Sequence, residues 1–203
     1  WKTHNQTLKE KREWLNQKDF KEIHFKGPET DLKVGLADDH EWMGGASMAQ
    51  NGVICNPNIP SEEVFTTPHA LRVEGYVSST KPLSHQGTLI DNIRVVFEKG
   101  SITDAKASKG ETVLKKVLES DEGARRLGEV ALVPNSSPIS NSGLLFYNTL
   151  FDENAACHIA LGQCYSKCFK GETNLSTSEI RERGGNSSTV SYTHLTLPTT
   201  GSV

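Results

Sequence analysis

No run of apolar residues in this 203-residue sequence approaches the roughly 18–20 that a membrane-spanning helix needs. An excess of charge of one sign is also missing. With 22 Lys and Arg against 25 Asp and Glu, interspersed along the chain, the net charge is -3. That leaves no electrostatic footprint for nucleic acid or an anionic membrane surface. Cysteine is sparse: Cys55, Cys157, Cys164 and Cys168 show no regular disulfide spacing, and no secretory leader precedes them. Reduced thiols and a cytoplasmic setting are the expectation. The chain opens on Trp1 rather than Met, so it is read as part of a longer protein.

What is present is a globular pattern, 35% hydrophobic and 23% charged, in a chain long enough to bury about 70% of its unfolded surface. Residues 7–18, TLKEKREWLNQK, predict an amphipathic helix, with Leu8, Trp14 and Leu15 on its apolar side. IHFKG and TDLKVGL flank the turn formers Gly27 and Pro28 and predict a hairpin. ALRVEGYVSS and NIRVVFEKGSITDAKA alternate apolar with polar residues, with a turn at Lys99–Gly100, and predict antiparallel strands. Val113, Leu114, Val117 and Leu118 follow at helical spacing. EVALVP reads as a short apolar strand closed by Pro134. DENAACHIALGQCYSKC has the small and apolar content of a helix, with Asp152 or Asn154 as its cap. The class is α+β, a mixed, mainly antiparallel sheet with flanking helices. The last twenty residues hold no Asp, Glu, Lys or Arg and receive no fixed structure.

Several residues carry chemical potential. In NPNIPSEEVFTTP, Glu62 and Glu63 leave a proline-restrained loop and enter strand formers. On an extended chain their side chains point to opposite sides, so one at most faces a site. The alternative is a solvated acidic turn. Glu129 follows Gly128 at the head of an apolar strand, where a buried carboxylate needs a partner. That partner is either Arg125 or Arg126, or a functional group. His158, between Cys157 and Ile159, is either hydrogen-bonded in the core or bound to a metal. Asp152 and Glu153 read as acids at the positive end of a helix. Cys157, His158, Cys164 and Cys168 offer zinc-binding atoms but lack the paired spacing of a zinc module. Cys157 beside His158 is a poor nucleophile–base pair, because a base normally approaches from elsewhere in the fold.

NPNIPSEEVFTTPH, VSSTKPL, DEGARRLGEVALVPNSSPIS and FYNTLFDENAACHIALGQCY, in that order, resemble the M29 metalloaminopeptidases. The likeness implies that residues 1–190 form the second, metal-binding domain of such an enzyme, without its N-terminal domain. It implies release of N-terminal amino acids from peptides by a water activated between two divalent metal ions (zinc, cobalt or magnesium), in a homodimer. It carries metal-ligand roles onto Glu63, Glu129 and His158, with Glu62 a neighbour, and catalytic roles onto Glu129 and Tyr165.

The family pattern then calls for a His-x-Asp pair in a segment like NSSxxHVDFMIG. This chain has Ser191 and Thr193 there, and residues 191–203 do not resemble the family. His194 stands nearby without a spacing that recommends it. The expectation is therefore an aminopeptidase domain inactive or impaired as this chain stands, the alternative being a non-catalytic fragment or interaction module.

Overall fold

Alternation of apolar and polar residues sets most of the architecture. The computed structural model describes residues 1–171, 174–187 and 193–197. It opens with α1 (Lys2–Lys18), which buries Leu8 and Leu15 and ends on Asp19 in the left-handed region. β1 (Glu22–Gly27) and β2 (Thr30–Leu36) form the expected hairpin. β3 (Ser47–Met48) and β4 (Ile54–Cys55) make a short ribbon ahead of β5 (Val64–Thr66) and the long β6 (Pro68–Ser78). β7 (Leu83–His85) and β8 (Thr88–Ile90) form a second ribbon. β9 (Arg94–Glu98) and β10 (Ser101–Lys106) turn through Lys99 and Gly100, both at positive φ, as a two-residue hairpin demands. Then come α2 (Glu111–Leu118), β11 (Leu127–Leu132), α3 (Pro138–Ser142), α4 (Thr149–Asp152), β12 (His158–Leu161), α5 (Thr177–Glu182) and β13 (Thr193–Thr196).

Two antiparallel sheets dominate: a five-stranded one in the order β1-β2-β6-β9-β10 and a four-stranded one in the order β13-β12-β11-β5. The α+β class read from the sequence is the class observed. Both sheets feed one core, with Leu32, Val34, Val73, Val95 and Phe97 from the first and Val130, Ile159, Leu161 and Leu195 from the second. Each such side chain contributes about 1.5–3 kcal/mol on burial. Among the described residues no helix is long and apolar enough to cross a membrane.

One element departs from expectation. The helix predicted over residues 152–168 is instead a turn of α4, a 3-10 turn at Glu153–Ala155, and strand β12. β12 lies between β11 and β13, so its backbone groups pair on both sides, and this tertiary pairing overrides the helical preference of Ala160 and Leu161. Neither Asp152 nor Asn154 provides the expected helix cap. Asn148 caps α4, the Asp152 carboxylate accepts from the amides of Phe146 and Asn148, and Asn154 Oδ1 accepts from the amide of Glu62.

Candidate metal centre

Register alone brings the charged side chains together. Phe65 lies opposite Ala131, Ala131 opposite His158, Glu129 opposite Ala160, and Ala160 opposite His194. Directly paired residues share a face, as do residues two apart on one strand. Glu63, Phe65, Glu129, His158 and His194 therefore share one face of the second sheet. The positions between them on that face are Ala131 and Ala160, whose small side chains leave room. Val130, Ile159, Leu161 and Leu195 point the other way into the core. A bulge between Leu127 and Glu129 lets Leu127 join that core while Glu129 stays on the charged face.

Two glycines hold this geometry. A Cβ on Gly128 would lie 2.4 Å from the carbonyl oxygens of Gly162 and Gln163, so only glycine admits the loop after β12 beside Glu129. A Cβ on Gly44 would lie 2.5 Å from the carbonyl oxygen of Glu63, and its φ of 138° also favours glycine.

The resulting cluster is buried. His158 Nε2 lies 3.1 Å from Glu63 Oε2 and 3.5 Å from Glu129 Oε1. His194 Nε2 lies 3.3 Å from Glu153 Oε2 and 3.9 Å from the same Glu129 oxygen. The two imidazole rings stand 5.4 Å apart, edge to face. Ligand atoms of Glu129, His158 and His194 all fall within 4.8 Å of one another, a grouping able to hold a metal ion.

Burial raises the pKa of Glu129, helped by the nearby charge of Glu63 and opposed by His158. Glu153 is pushed up to about 8, first by burial and then by Glu63. Burial works to lower His158, but contacts with Glu129 and Glu63 outweigh it and hold it well above the usual histidine value. His194 falls to about 3 through burial and repulsion from His158. These shifts mark a pocket of charge held out of water.

A cation suits this arrangement. Glu63 Oε2, Glu153 Oε2 and His158 Nε2 are buried without a properly directed hydrogen bond, although potential partners stand within about 3.5 Å. Orphaned polar atoms of this kind are costly in a finished core and natural in a metal centre. Among the described residues no Lys or Arg forms an ion pair with Glu63, Glu129 or Glu153.

The alternatives left open by the sequence now divide. The guanidinium groups of Arg125 and Arg126 bond to carbonyls of Ile102, Ala70 and Lys99, so neither neutralises Glu129. Glu62 points away from the cluster, 3.7 Å from His4, while Glu63 faces it. Cys157, Cys164 and Cys168 are buried free thiols. Cys157 belongs to the core, on the opposite face from His158, so neither a cysteine zinc knot nor a Cys157–His158 pair forms. Tyr165 follows β12 with its ring 5.7 Å from that of Phe65, at the margin of the charged face, and burial raises its pKa.

Two members escaped the sequence reading. Glu153, expected to serve a helix end, sits in a 3-10 turn whose geometry no local pattern announces. His194, given no role, lies on β13 and enters the cluster, contrary to expectation. A signal for it existed: in His194-Leu195-Thr196-Leu197, polar and apolar residues alternate with the period of a half-buried strand.

An antiparallel sheet with buried acids and imidazoles gathered on one face defines a candidate metal centre. The chain belongs to the thermophilic metalloprotease family M29, whose model matches residues 1–195. Aminopeptidase T of Thermus thermophilus is 54% identical over 190 residues, 94% of this chain and 46% of that protein. Aminopeptidase 2 of Geobacillus stearothermophilus is 49% identical, again over 94% of this chain and 46% of that protein. The chain thus spans about half the length of the curated relatives it matches. The structure of wild-type AmpT from Thermus thermophilus superposes with a TM-score of 0.92 at 51% identity, over 97% of this chain and 48% of that one. A dihydroxypyridine dioxygenase from Pseudomonas putida shares the fold alone, at 15% identity and a TM-score of 0.53.

Proposed function

We propose that this chain carries the metal-binding part of an aminopeptidase that releases N-terminal residues from peptides. The observation that carries this reading is the convergence of Glu63, Glu129 and His158 on one buried face, in a chain of a metallopeptidase family. The relatives' names supply the reaction class.

Glu63, Glu129 and His158 would hold the metal. When bound, a pair of divalent ions (zinc, cobalt or magnesium) supplies Lewis-acid polarisation of the scissile carbonyl and an acidified water. Carboxylates suit the site because an anionic oxygen can serve two cations, while a neutral imidazole adds a donor without adding charge. Glu129, at the centre of the cluster, would accept the proton released as water attacks. The Tyr165 hydroxyl, kept protonated by its raised pKa, would donate a hydrogen bond to the developing oxyanion.

The proposed partners are a peptide and a second copy of the chain. Exposed Met48, Ile54 and Ile59, which precede Glu63 in the chain, and Leu144, Tyr147 and Leu150, which precede Glu153, support a covered apolar surface. A cytoplasmic setting is proposed from the free thiols.

Little turnover by this chain alone is part of the proposal, because Ser191 and Thr193 stand where the resemblance calls for His and Asp; Ser191 and the Thr193 side chain lie outside the described residues. The test is to load the purified chain with zinc, cobalt or magnesium, follow its melting, and assay leucine release from a small leucyl substrate. Metal should raise the melting temperature in wild type and not in His158→Ala, with weak release at most. Strong release would overturn the impairment, and a melting temperature indifferent to every metal would overturn the metal reading.

A further inference from the structure

A cleft of about 540 Å³ opens away from the charged cluster, and none of Glu63, Glu129, Glu153, His158 or His194 lines it. Its walls come from three segments: residues 69–71 at the start of β6, residues 121–123 with Arg126 ahead of β11, and residues 184–187 with Arg181 at the end of α5. A space of that size suits a small organic molecule.

Two guanidinium groups line the cleft. Arg126 Nη1 donates to the carbonyls of Ala70 at 2.9 Å and Lys99 at 3.3 Å, and Arg181 Nε donates to Ser187 Oγ at 2.6 Å. These bonds orient both planes and leave further N–H donors that have no protein acceptor among the described residues. Among those residues the arginine that meets an acid is Arg72, through Asp38. A guanidinium fork with spare donors matches a carboxylate. His69 adds a neutral donor: the Leu71 amide donates to its Nδ1 at 3.1 Å, so the proton of the uncharged ring sits on Nε2. Burial, and then the charge of Arg72, lowers the pKa of His69 and keeps that ring uncharged.

Acids line the same cleft. Asp121 caps the 3-10 turn at Glu122–Arg125 by accepting from the Ala124 amide, and Glu122 is exposed beside it. Two carboxylates repel a bare polyanion such as phosphate and attract an ammonium group. The lining therefore matches a molecule that carries both charges. We infer that the cleft binds a free amino acid, its carboxylate on Arg126 and Arg181, its ammonium beside Glu122, and its side chain against Ala70 and Leu71.

The walls are tied together before any ligand arrives. Asn186, 5% exposed, donates from Nδ2 to the carbonyls of Gly123 and Gly162, each at 2.8 Å, while its own carbonyl accepts from the Cys164 amide. The Gly184 carbonyl accepts from the Ala70 amide at 2.7 Å. Such bracing reduces the ordering cost of binding. The reaction proposed above releases molecules of this class, yet the fit rests on the lining of the cleft and not on that reading.

The test is a titration with leucine. The full 203-residue chain is kept metal-free with a chelator, so that no ion in the charged cluster coordinates the ligand, and binding is followed by calorimetry and by the Arg181 Nε–H resonance in nitrogen NMR. Leucine should bind saturably. Leucinamide, which lacks the carboxylate, should bind about tenfold more weakly, as should leucine on Arg181→Gln. Isocaproate, which lacks the ammonium, and leucine on Glu122→Gln should each lose about threefold, because Glu122 is exposed and screened. Both variants are at the surface, and circular dichroism verifies their folding. No saturable binding of leucine in the millimolar range overturns the inference. Phosphate binding as tightly as leucine also overturns it, since that marks a general anion site. Leucine binding undiminished in both variants overturns it as well, because the ligand then lies elsewhere. Each of these outcomes leaves the metal reading untouched.

Discussion

Carboxylates in the two sheets behave in opposite ways. Around the first sheet, Asp31 meets His24 at 2.6 Å, Asp38 meets Arg72 at 2.6 Å, and Asp19 meets Lys21 at 2.6 Å and Lys170 at 3.1 Å. Each of these acids lies at the surface, and a hydrogen bond from its partner lowers its pKa, that of Asp19 to about 2. At the charged face of the second sheet, burial moves Glu129, on β11, and Glu153, on the neighbouring 3-10 turn, upward. The group is the same and the direction reversed. At the surface a local cation and water satisfy the charge, at little gain in stability. On the buried face the fold gathers acids that, among the described residues, have no Lys or Arg ion-pair partner, an arrangement common at functional sites.

Truncation in the core beneath both sheets should outweigh every change of charge. Phe97→Ala, at a fully buried position on β9, is expected to cost about 3–5 kcal/mol in denaturant unfolding. A loss below about 1 kcal/mol would show that the two sheets do not share a close-packed core.

The contrast between the sheets sharpens next at Glu153. Its folded pKa of about 8 lies above the ordinary glutamate value of 4.5. For a raised carboxyl, stability is fully present below pH 4.5 and is lost as pH climbs toward 8. Glu153→Gln should therefore stabilise the metal-free chain by about 1–3 kcal/mol near pH 7, with the gain vanishing below pH 4.5. Thermal melts of both proteins across that range, in the presence of a chelator, measure it. Destabilisation at pH 7 would mean that the acid is satisfied after all.

The smallest effect belongs to the surface. Asp19 has a depressed pKa, so its contribution is present above the ordinary value of 3.8 and is lost as pH falls through about 2. Because the group is largely exposed, screening limits that contribution to about 0.2–1 kcal/mol. Lys170→Ala should lower stability by no more than this near neutrality, with salt erasing the difference. A loss of several kcal/mol would erase the distinction between the two kinds of charge.

Local pattern revealed the hairpin of β1 and β2, the Lys99–Gly100 turn, the helices α1 and α2, and the strand carrying Glu129. Each of these declares itself through the period of its own side chains or through a turn residue. β12 did not. Its HIAL core is too short for periodicity to separate strand from helix, and its neighbours β11 and β13, far away in sequence, decide the matter. Glu63, Glu129 and His158 stood out through a resemblance, and their residue types suit a metal. Glu153 and His194 lacked that help.

Composition and periodicity were enough to establish two kinds of regular element, an apolar core, no apolar run long enough for a membrane-spanning helix within these 203 residues, and a few acids and histidines apt for metal chemistry. Which of those groups meet was settled by strand register. Pairing Glu129 with Ala160 and Ala160 with His194 places side chains from distant segments on one face, and the bulge after Leu127 turns Glu129 onto it. The physical reason is that a strand alternates its faces with a period of two. A slip of one residue would have sent the same acids into the core, and only long-range hydrogen bonding excludes that slip.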